Sequence, residues 1–574
     1  MRLKKHVPLF ESTLKHVVAR PLLSSRCGRC RYATSSAAYP ENIAVLGGGI
    51  SGLASAHFVA KEFPKSKITI YEANKEAGGW IRSRKVDVPG GSVLFEYGPR
   101  TLRPTPSSKP TGQLIQDLGL ASDVIVTRRD APGATNRYIY YPDRLVKLPS
   151  PPGLPSLRSL IELFRSGAAD GVFSALTEPW WPRRDPSLTD ESVGAFISRR
   201  VDKRVAQNLV SAVYHGIYAG DIWKLSVKTL MPLLWQHEGR SGSIAKGMHD
   251  IDADFSKPDR RTLWHPYDLA SAKAMHDIEI ESGLKTTLDE ASVYSFKGGL
   301  QQLVHKLKQN LEKNKNVDIK LDSPVQSFKM VPKSAERVKV VAGHKAKETT
   351  KNFDLVISTL RHKPLTEYVT VMTVNLYFSQ PNLIPVQGFG YLIPQSVPLE
   401  QNPERALGVI FDSDAISGQD TAPGTKLTVM LGGHWWSDWP GHPSEAEGLE
   451  MARSVIERHL GITAEPAASH ARLWPDCIPQ YTVGYEDRLK EFATSARNEF
   501  KGRVRLVGNQ YNGVGVNDCV GGAWLMARGL RNGGWRQRSC GLDRALDERP
   551  WVVDYAASYS KPLPEADAKA EEKA

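Results

Sequence analysis

The chain has 574 residues, enough for three to four units of about 150 residues each. With 41% hydrophobic and 24% charged residues it is ordinary for a globular protein. That excludes a wholly disordered chain, a collagen and a polytopic membrane protein, and no run of about 18 apolar residues offers a membrane span. Seventy-five Lys and Arg against 62 Asp and Glu leave a net charge of +13. More than half of that excess, +7, falls in residues 1–39, and what remains is too little to imply nucleic acid.

Residues 1–39 are rich in Arg, Ser and Ala, with Glu11 as their one acid. Leu9, Leu14, Val17 and Val18 can share a helix face away from Lys5, Lys15 and Arg20. This is the composition of a mitochondrial transit peptide; a secretory signal fits worse because no uninterrupted apolar stretch is present. Cys27 and Cys30 read as an incidental pair in a discarded presequence. The widely spaced Cys477, Cys519 and Cys540 then read as reduced thiols.

The apolar run Ile43-Ala44-Val45-Leu46 suits a buried parallel strand. It leads into Gly47-Gly48-Gly49-Ile50-Ser51-Gly52, in which Gly47, Gly49 and Gly52 satisfy G-x-G-x-x-G. The first glycine permits the tight turn, the second lets backbone approach a pyrophosphate, and the third lets helix pack on strand. Ile68-Thr69-Ile70-Tyr71 is the second strand. Glu72 follows, 20 residues after Gly52, where a carboxylate accepts from ribose hydroxyls and repels a 2′-phosphate. No Ser-His-Asp arrangement, P-loop or H-E-x-x-H is present, no metal site is expected, and the histidines are scattered. Redox chemistry is therefore expected of a bound cofactor.

The acid after the second strand, then Gly78-Gly79 and Arg82-Ser83, resembles the amine-oxidase-like flavoproteins. Within them, Gly98-Pro99-Arg100 and Tyr511-Asn512-Gly513-Val514-Gly515-Val516-Asn517-Asp518-Cys519 are similar to the protoporphyrinogen oxidase family. So are Gly216-Ile217-Tyr218-Ala219-Gly220-Asp221, Val386-Gln387-Gly388-Phe389-Gly390 and Cys477-Ile478-Pro479-Gln480-Tyr481-Thr482, in the same order over roughly residues 41–540.

The resemblance implies an α/β fold with α+β insertions. A Rossmann-like FAD-binding domain is assembled from 41–105, 295–362 and 502–545. A mixed sheet for the substrate occupies 363–500. A helical membrane-associating region spans 106–290, with a polar, mobile inserted loop at 236–275, and 556–574 is a disordered tail. Leu157, Leu160, Ile161 and Phe164 follow helical spacing, and Trp180 and Trp181 stand beside Arg183 and Arg184, a pattern suited to a membrane surface.

The resemblance further implies non-covalent FAD held by Gly47, Gly48, Gly49, Ile50, Ser51, Gly52, Glu72, Ala73, Trp80, Gly98, Pro99, Arg100, Thr101, Val325, Val514, Gly515 and Val516. It implies oxidation of protoporphyrinogen IX, with molecular oxygen reduced to hydrogen peroxide, as the penultimate step of haem biosynthesis. Phe389, Leu392, Leu407, Ile410 and Met430 then sandwich the tetrapyrrole, the Gly390 backbone approaches it, and Arg100 anchors a propionate. No catalytic base is identified. Also implied are a homodimer, hand-over to ferrochelatase, and a peripheral place on the intermembrane-space side of the mitochondrial inner membrane. Another flavin oxidase or desaturase of the superfamily is the nearest alternative, and a colourless escort protein on the same fold the next.

Overall fold

The protein is described here by a computed structural model covering residues 39–149, 157–251, 261–332, 336–345 and 347–555. The expected transit peptide apart from Tyr39, the pair Cys27 and Cys30, the middle of the insertion (252–260) and the 556–574 tail lie outside the described residues.

Three separate stretches of chain supply one parallel sheet of five strands. Its order is Val317–Lys320, Lys67–Tyr71, Asn42–Leu46, Leu355–Ser358 and Val504–Leu506. Ile43, Ala44, Val45 and Leu46 are all fully buried, because helices or a second sheet cover both faces. That explains the unbroken apolar run where a one-sided strand would alternate. The helix Ile50–Glu62 packs against Val516–Asn532 and Gln301–Glu312, with Leu53, Ala56, Leu303, Val520 and Ala523 in one core. A small antiparallel sheet of Val325–Met330, Val338–Ala342 and Thr349–Phe353 flanks it.

A second sheet has seven strands, in the order Ala468–Pro479, Tyr368–Phe378, Thr425–Gly432, Ala406–Ile410, Gly390–Leu392, Arg137–Tyr140 and Leu145–Leu148. The helix Glu445–Leu460 buries Ala452, Val455 and Ile456 against Val374, Leu376, Val409 and Val429 on one face. It starts in a capping box: Ser444 Oγ accepts from the Glu447 N–H (3.2 Å) and the Ser444 N–H donates to the Glu447 carboxylate (2.7 Å). The seven-stranded sheet meets the hairpin of Ser83–Val88 and Gly91–Glu96 where Thr373 Oγ1 donates to the Tyr97 carbonyl (2.7 Å) and Asn375 Nδ2 to that of Glu96 (3.1 Å).

Two stretches differ from the sequence-based expectation. Arg137–Tyr140 and Leu145–Leu148 fall inside the region read as helical, yet they are the last two strands of the seven-stranded sheet, with Leu145–Leu148 at its edge. The Arg-Tyr-Ile-Tyr run alternates faces and has high β-propensity, but it is too short to announce itself beside longer helical patterns. The insertion at 236–275 is not a bare loop either. It carries the helices Ile244–Ile251 and Pro266–His276 and the strand Arg261–Trp264, which pairs with Val552–Tyr555 near the end of the described chain. Its polar composition concealed Ile251, Leu263 and Met275, which are buried.

Candidate active site

The glycine turn after the first strand is built by close backbone approach. Gly47 has φ +103°, and a Cβ there would lie 2.3 Å from Thr359 Oγ1. At Gly52 a Cβ would lie 1.9 Å from the Gly47 carbonyl oxygen. Gly49 differs: its only neighbour within 4 Å of a Cβ would be the Gly79 Cα, at 3.9 Å. Gly49 and Gly79 thus lie side by side as bare backbone at the start of the Ile50–Glu62 helix, where a pyrophosphate can approach both closely. Glu72 is buried. Its carboxylate accepts from the Gly48 N–H (2.7 Å) and from the Asn74 N–H (2.8 Å). These bonds hold the carboxylate fixed and leave lone pairs for ribose hydroxyls.

Of the other expected cofactor residues, Ile50 and Ser51 open the helix after the turn, Trp80 lies against Gly98, and Val325 packs on the opposite face of the parallel sheet from Ile50. The Trp80 carbonyl would sit 2.0 Å from a Cβ at Gly98, so only glycine fits there. The strand of Val325 begins where the Ser323 N–H donates to the Glu72 carbonyl (2.8 Å). Ala73 and Pro99 are exposed and Thr101 is half-buried. Val514 and Gly515 lead into the helix Val516–Asn532, with Asp518 accepting from the Gly515 N–H (3.0 Å). Cys519 is buried in the first turn of this helix, and burial pushes its thiol up to about 11. Such a thiol stays protonated at neutral pH.

The expected substrate residues share one face of the seven-stranded sheet. Successive residues of a strand alternate faces. Leu427, Val429 and Leu431 enter the core under the Glu445–Leu460 helix, so Thr428 and Met430 turn the other way. The register Gly390↔Ile410, Leu392↔Gly408 and Gly408↔Met430 brings Leu392, Ile410 and Met430 together on that outer face. Leu407 joins them through a bulge between Ala406 and Gly408, which places it in the apolar cluster of Met430 and Ala219 instead of in the core. Two glycines keep the middle of this floor level. Gly390, at φ +135°, would put a Cβ 2.2 Å from the Val409 carbonyl. Gly408 would put one 2.5 Å from that of Tyr391. A level apolar floor suits a flat ligand.

Arg100 does not sit as expected. Its guanidinium is buried and Nη1 donates to Asp412 Oδ1 at 2.5 Å, while the other Asp412 oxygen accepts from Thr428 Oγ1 (2.6 Å). A cation already neutralised by a buried carboxylate is a strut between the Gly98–Thr101 turn and the sheet, not a free anchor. The residue that the sequence did not single out is Arg137. It lies two residues from Ile139, on the floor side of the sheet, with its guanidinium 4.5 Å above the Phe389 ring. No carboxylate pairs with it among the described residues. Burial, and then repulsion from Arg103, lower its pKa to about 10, so it remains a cation at neutral pH. A cation heading the short aromatic-rich run Tyr138-Ile139-Tyr140 was the available signal. A cavity of about 1050 Å³ lined by Tyr218, Tyr481, Tyr485 and Tyr511 lies elsewhere. It reaches Gly513 and Asp518 but none of the floor residues.

The family model for flavin containing amine oxidoreductases matches residues 50–530. The protoporphyrinogen oxidase of Schizosaccharomyces pombe is 34% identical over 503 residues, covering 85% of this chain and 98% of its own. That of Homo sapiens is 30% identical over 511 residues, covering 84% and 96%. The chain belongs to the protoporphyrinogen oxidase family of flavin containing amine oxidoreductases. The crystal structure of an Exiguobacterium sp. protein shares the fold, at a TM-score of 0.63 and 21% identity over 86% of this chain and 98% of that one.

The cofactor of the family is FAD, and the residues present fit it. The cradle of Gly47 to Gly52 with Gly79 fits the pyrophosphate, and the Glu72 carboxylate fits the ribose. The start of the Val516–Asn532 helix presents its positive end where a flavin ring would lie.

Proposed function

We propose that the protein catalyses the six-electron oxidation of protoporphyrinogen IX to protoporphyrin IX with molecular oxygen as terminal acceptor and hydrogen peroxide as by-product. Bound FAD supplies two-electron acceptance, so three rounds complete the change. The observation that carries the reading is the level, glycine-centred apolar floor with an unpaired cation at one corner. Leu392, Leu407, Ile410 and Met430 hold the macrocycle by apolar contact and exclude water, and Phe389 stacks on its edge. Arg137 pairs with a propionate in bidentate fashion and fixes which edge of the macrocycle turns toward the cofactor. Arg100, through Asp412 and Thr428, keeps the nucleotide-binding turn and the floor in register.

The membrane reading belongs to the same proposal. Ile161, Phe164, Phe173, Leu176 and Trp180 are all exposed, and the Phe164 and Phe173 rings stack at 5.4 Å. Among the described residues no helix is long and apolar enough to cross a bilayer. An exposed apolar ridge of this kind supports peripheral attachment to the mitochondrial inner membrane, through which an apolar substrate arrives. Arg184 takes no part in that contact: it stacks 3.6 Å over the Trp235 ring and pairs with Glu238 at 3.4 Å. The experiment is an aerobic assay of FAD-loaded protein that follows porphyrin fluorescence from supplied protoporphyrinogen. Enzyme-dependent fluorescence with peroxide release is expected; its absence would overturn the reading.

A further inference from the structure

Beside the floor lies a pair of histidines that the chemistry above does not use. His215 is fully enclosed in the helix Ser211–Tyr218, one residue before Gly216, where a Cβ would meet the Leu392 side chain at 3.0 Å. His434 stands just past the strand Thr425–Gly432, which carries Met430. The two rings stack at 4.9 Å, with their Nε2 atoms 2.8 Å apart, and Trp435 packs on His434 at 4.3 Å.

The protons can be assigned by counting donors. His215 Nδ1 lies 2.6 Å from the Ile393 carbonyl oxygen, which can only accept, so Nδ1 carries a hydrogen. In a neutral ring the Nε2 atom of His215 is then a lone pair, and the hydrogen between the rings belongs to His434. Burial lowers the pKa of His215 to about 3, with further lowering by His434 and slight opposition from Asp221. Burial, then Lys224 and Arg405, lower that of His434 to about 4. Both rings are therefore neutral at pH 7. The Gln395 amide nitrogen approaches His434 Nε2 at 3.2 Å but donates to Asp221 Oδ1 at 3.0 Å. The approach to His434 is a contact and not a bond while His434 holds its proton.

The surrounding bonds stitch three segments together. The Gln395 N–H donates to Ser211 Oγ (2.9 Å), the His434 N–H donates to the Ala219 carbonyl (2.8 Å), and the Ile393 N–H donates to the Leu407 carbonyl (3.0 Å). Ala219, Leu407, Met430 and Trp435 form one apolar cluster. The imidazole pair thus lies at the edge of the face that carries Leu392, Leu407 and Met430.

We propose that His215 and His434 are positioning residues, a neutral imidazole pair sharing one proton, which lock the Ser211–Tyr218 helix along the edge of the ligand floor and set how tightly the tetrapyrrole is held. This rests on the ligand face proposed above. The lock acts on the shape of the floor and not on the reacting atoms, so it governs KM more than kcat.

The test compares His434→Leu with His434→Gln in the FAD-loaded enzyme at pH 7. Leu removes the donor. Gln restores a neutral N–H near the Nε2 position. His434→Leu is expected to raise KM about tenfold with kcat within about twofold and FAD content unchanged, and His434→Gln to return KM close to the parent value. In the parent, KM should also rise as pH is lowered toward about 4, when the pair takes up a charge beside Lys224 and Arg405. In His434→Gln that rise should move to lower pH. An unchanged KM in His434→Leu, a Gln variant as defective as Leu, or a fall in kcat matching the rise in KM would each overturn the proposal. If the parent enzyme does not turn over protoporphyrinogen, the functional reading fails instead. The dissociation constant for protoporphyrin IX, read by fluorescence quenching, then decides the lock by the same Leu-against-Gln comparison.

Discussion

At the nucleotide cradle backbone meets backbone, and at the ligand floor side chains meet open space. A Cβ at Gly52 would stand 1.9 Å from a carbonyl oxygen, whereas Leu392, Ile410 and Met430 are only partly buried. The two arginines sharpen the contrast. Arg100, at the end of the cradle, is held by Asp412 at 2.5 Å. Arg137, over the floor, has an aromatic ring for company and no acid among the described residues. One cation serves the frame and the other is left with binding capacity. Rigidity is placed where the cofactor's position must not vary, and unspent interactions are placed where a ligand comes and goes.

Substitutions can break that contrast, and the largest effect is expected at the cradle. Gly52→Ala drives a methyl into the Gly47 carbonyl and should yield protein without bound flavin; the ratio of flavin to protein absorbance measures it. Next comes Arg137→Ala, expected to raise KM for protoporphyrinogen by about ten- to a hundredfold, as loss of a charge-assisted pair requires, with FAD retained. The same variant should lose discrimination between free and esterified propionates in steady-state kinetics. Asp412→Ala should act on stability. It leaves the Arg100 charge buried without a partner, and denaturant unfolding should show a loss of about 3–5 kcal/mol. If Arg137→Ala proved the destabilising change and Asp412→Ala the KM change, the two roles would be reversed.

A smaller effect is expected at Glu96, at the end of the strand Gly91–Glu96 that leads into Gly98. Its carboxylate accepts from the Leu300 N–H (2.7 Å) and Ser83 Oγ (2.6 Å), and burial raises its pKa to about 8 despite those bonds and the nearby Arg100 and Lys426. A group whose folded pKa is raised contributes stability that is complete below its unfolded value and is lost as pH rises through the folded one. Unfolding temperature should therefore decline from about pH 5 toward pH 8, and Glu96→Gln should flatten that slope. The smallest effect is expected at the exposed ridge. Phe173→Ser with Trp180→Ser should leave turnover of detergent-dispersed substrate within about twofold and weaken sedimentation with cardiolipin-containing vesicles several-fold.

Much of the nucleotide site was legible because its determinants are local. Strand, glycine turn, helix and acid lie within residues 42–72, and each step follows from backbone geometry at neighbouring positions. The floor was less so. Leu407 reaches it only through a bulge, and Arg137 only because its strand adds in parallel to Gly390–Leu392, about 250 positions away along the chain. The polar look of the 236–275 insertion likewise hid a strand whose partner, Val552–Tyr555, is nearly 300 residues distant.

The sequence by itself determined the cofactor class and the family, since a dinucleotide turn is written in contiguous glycines and an acid at a set spacing. Only the tertiary structure decided which arginine is spent on the frame and which is free. Charge pairing across 312 residues, as between Arg100 and Asp412, depends on how sheets dock, and no local pattern records it.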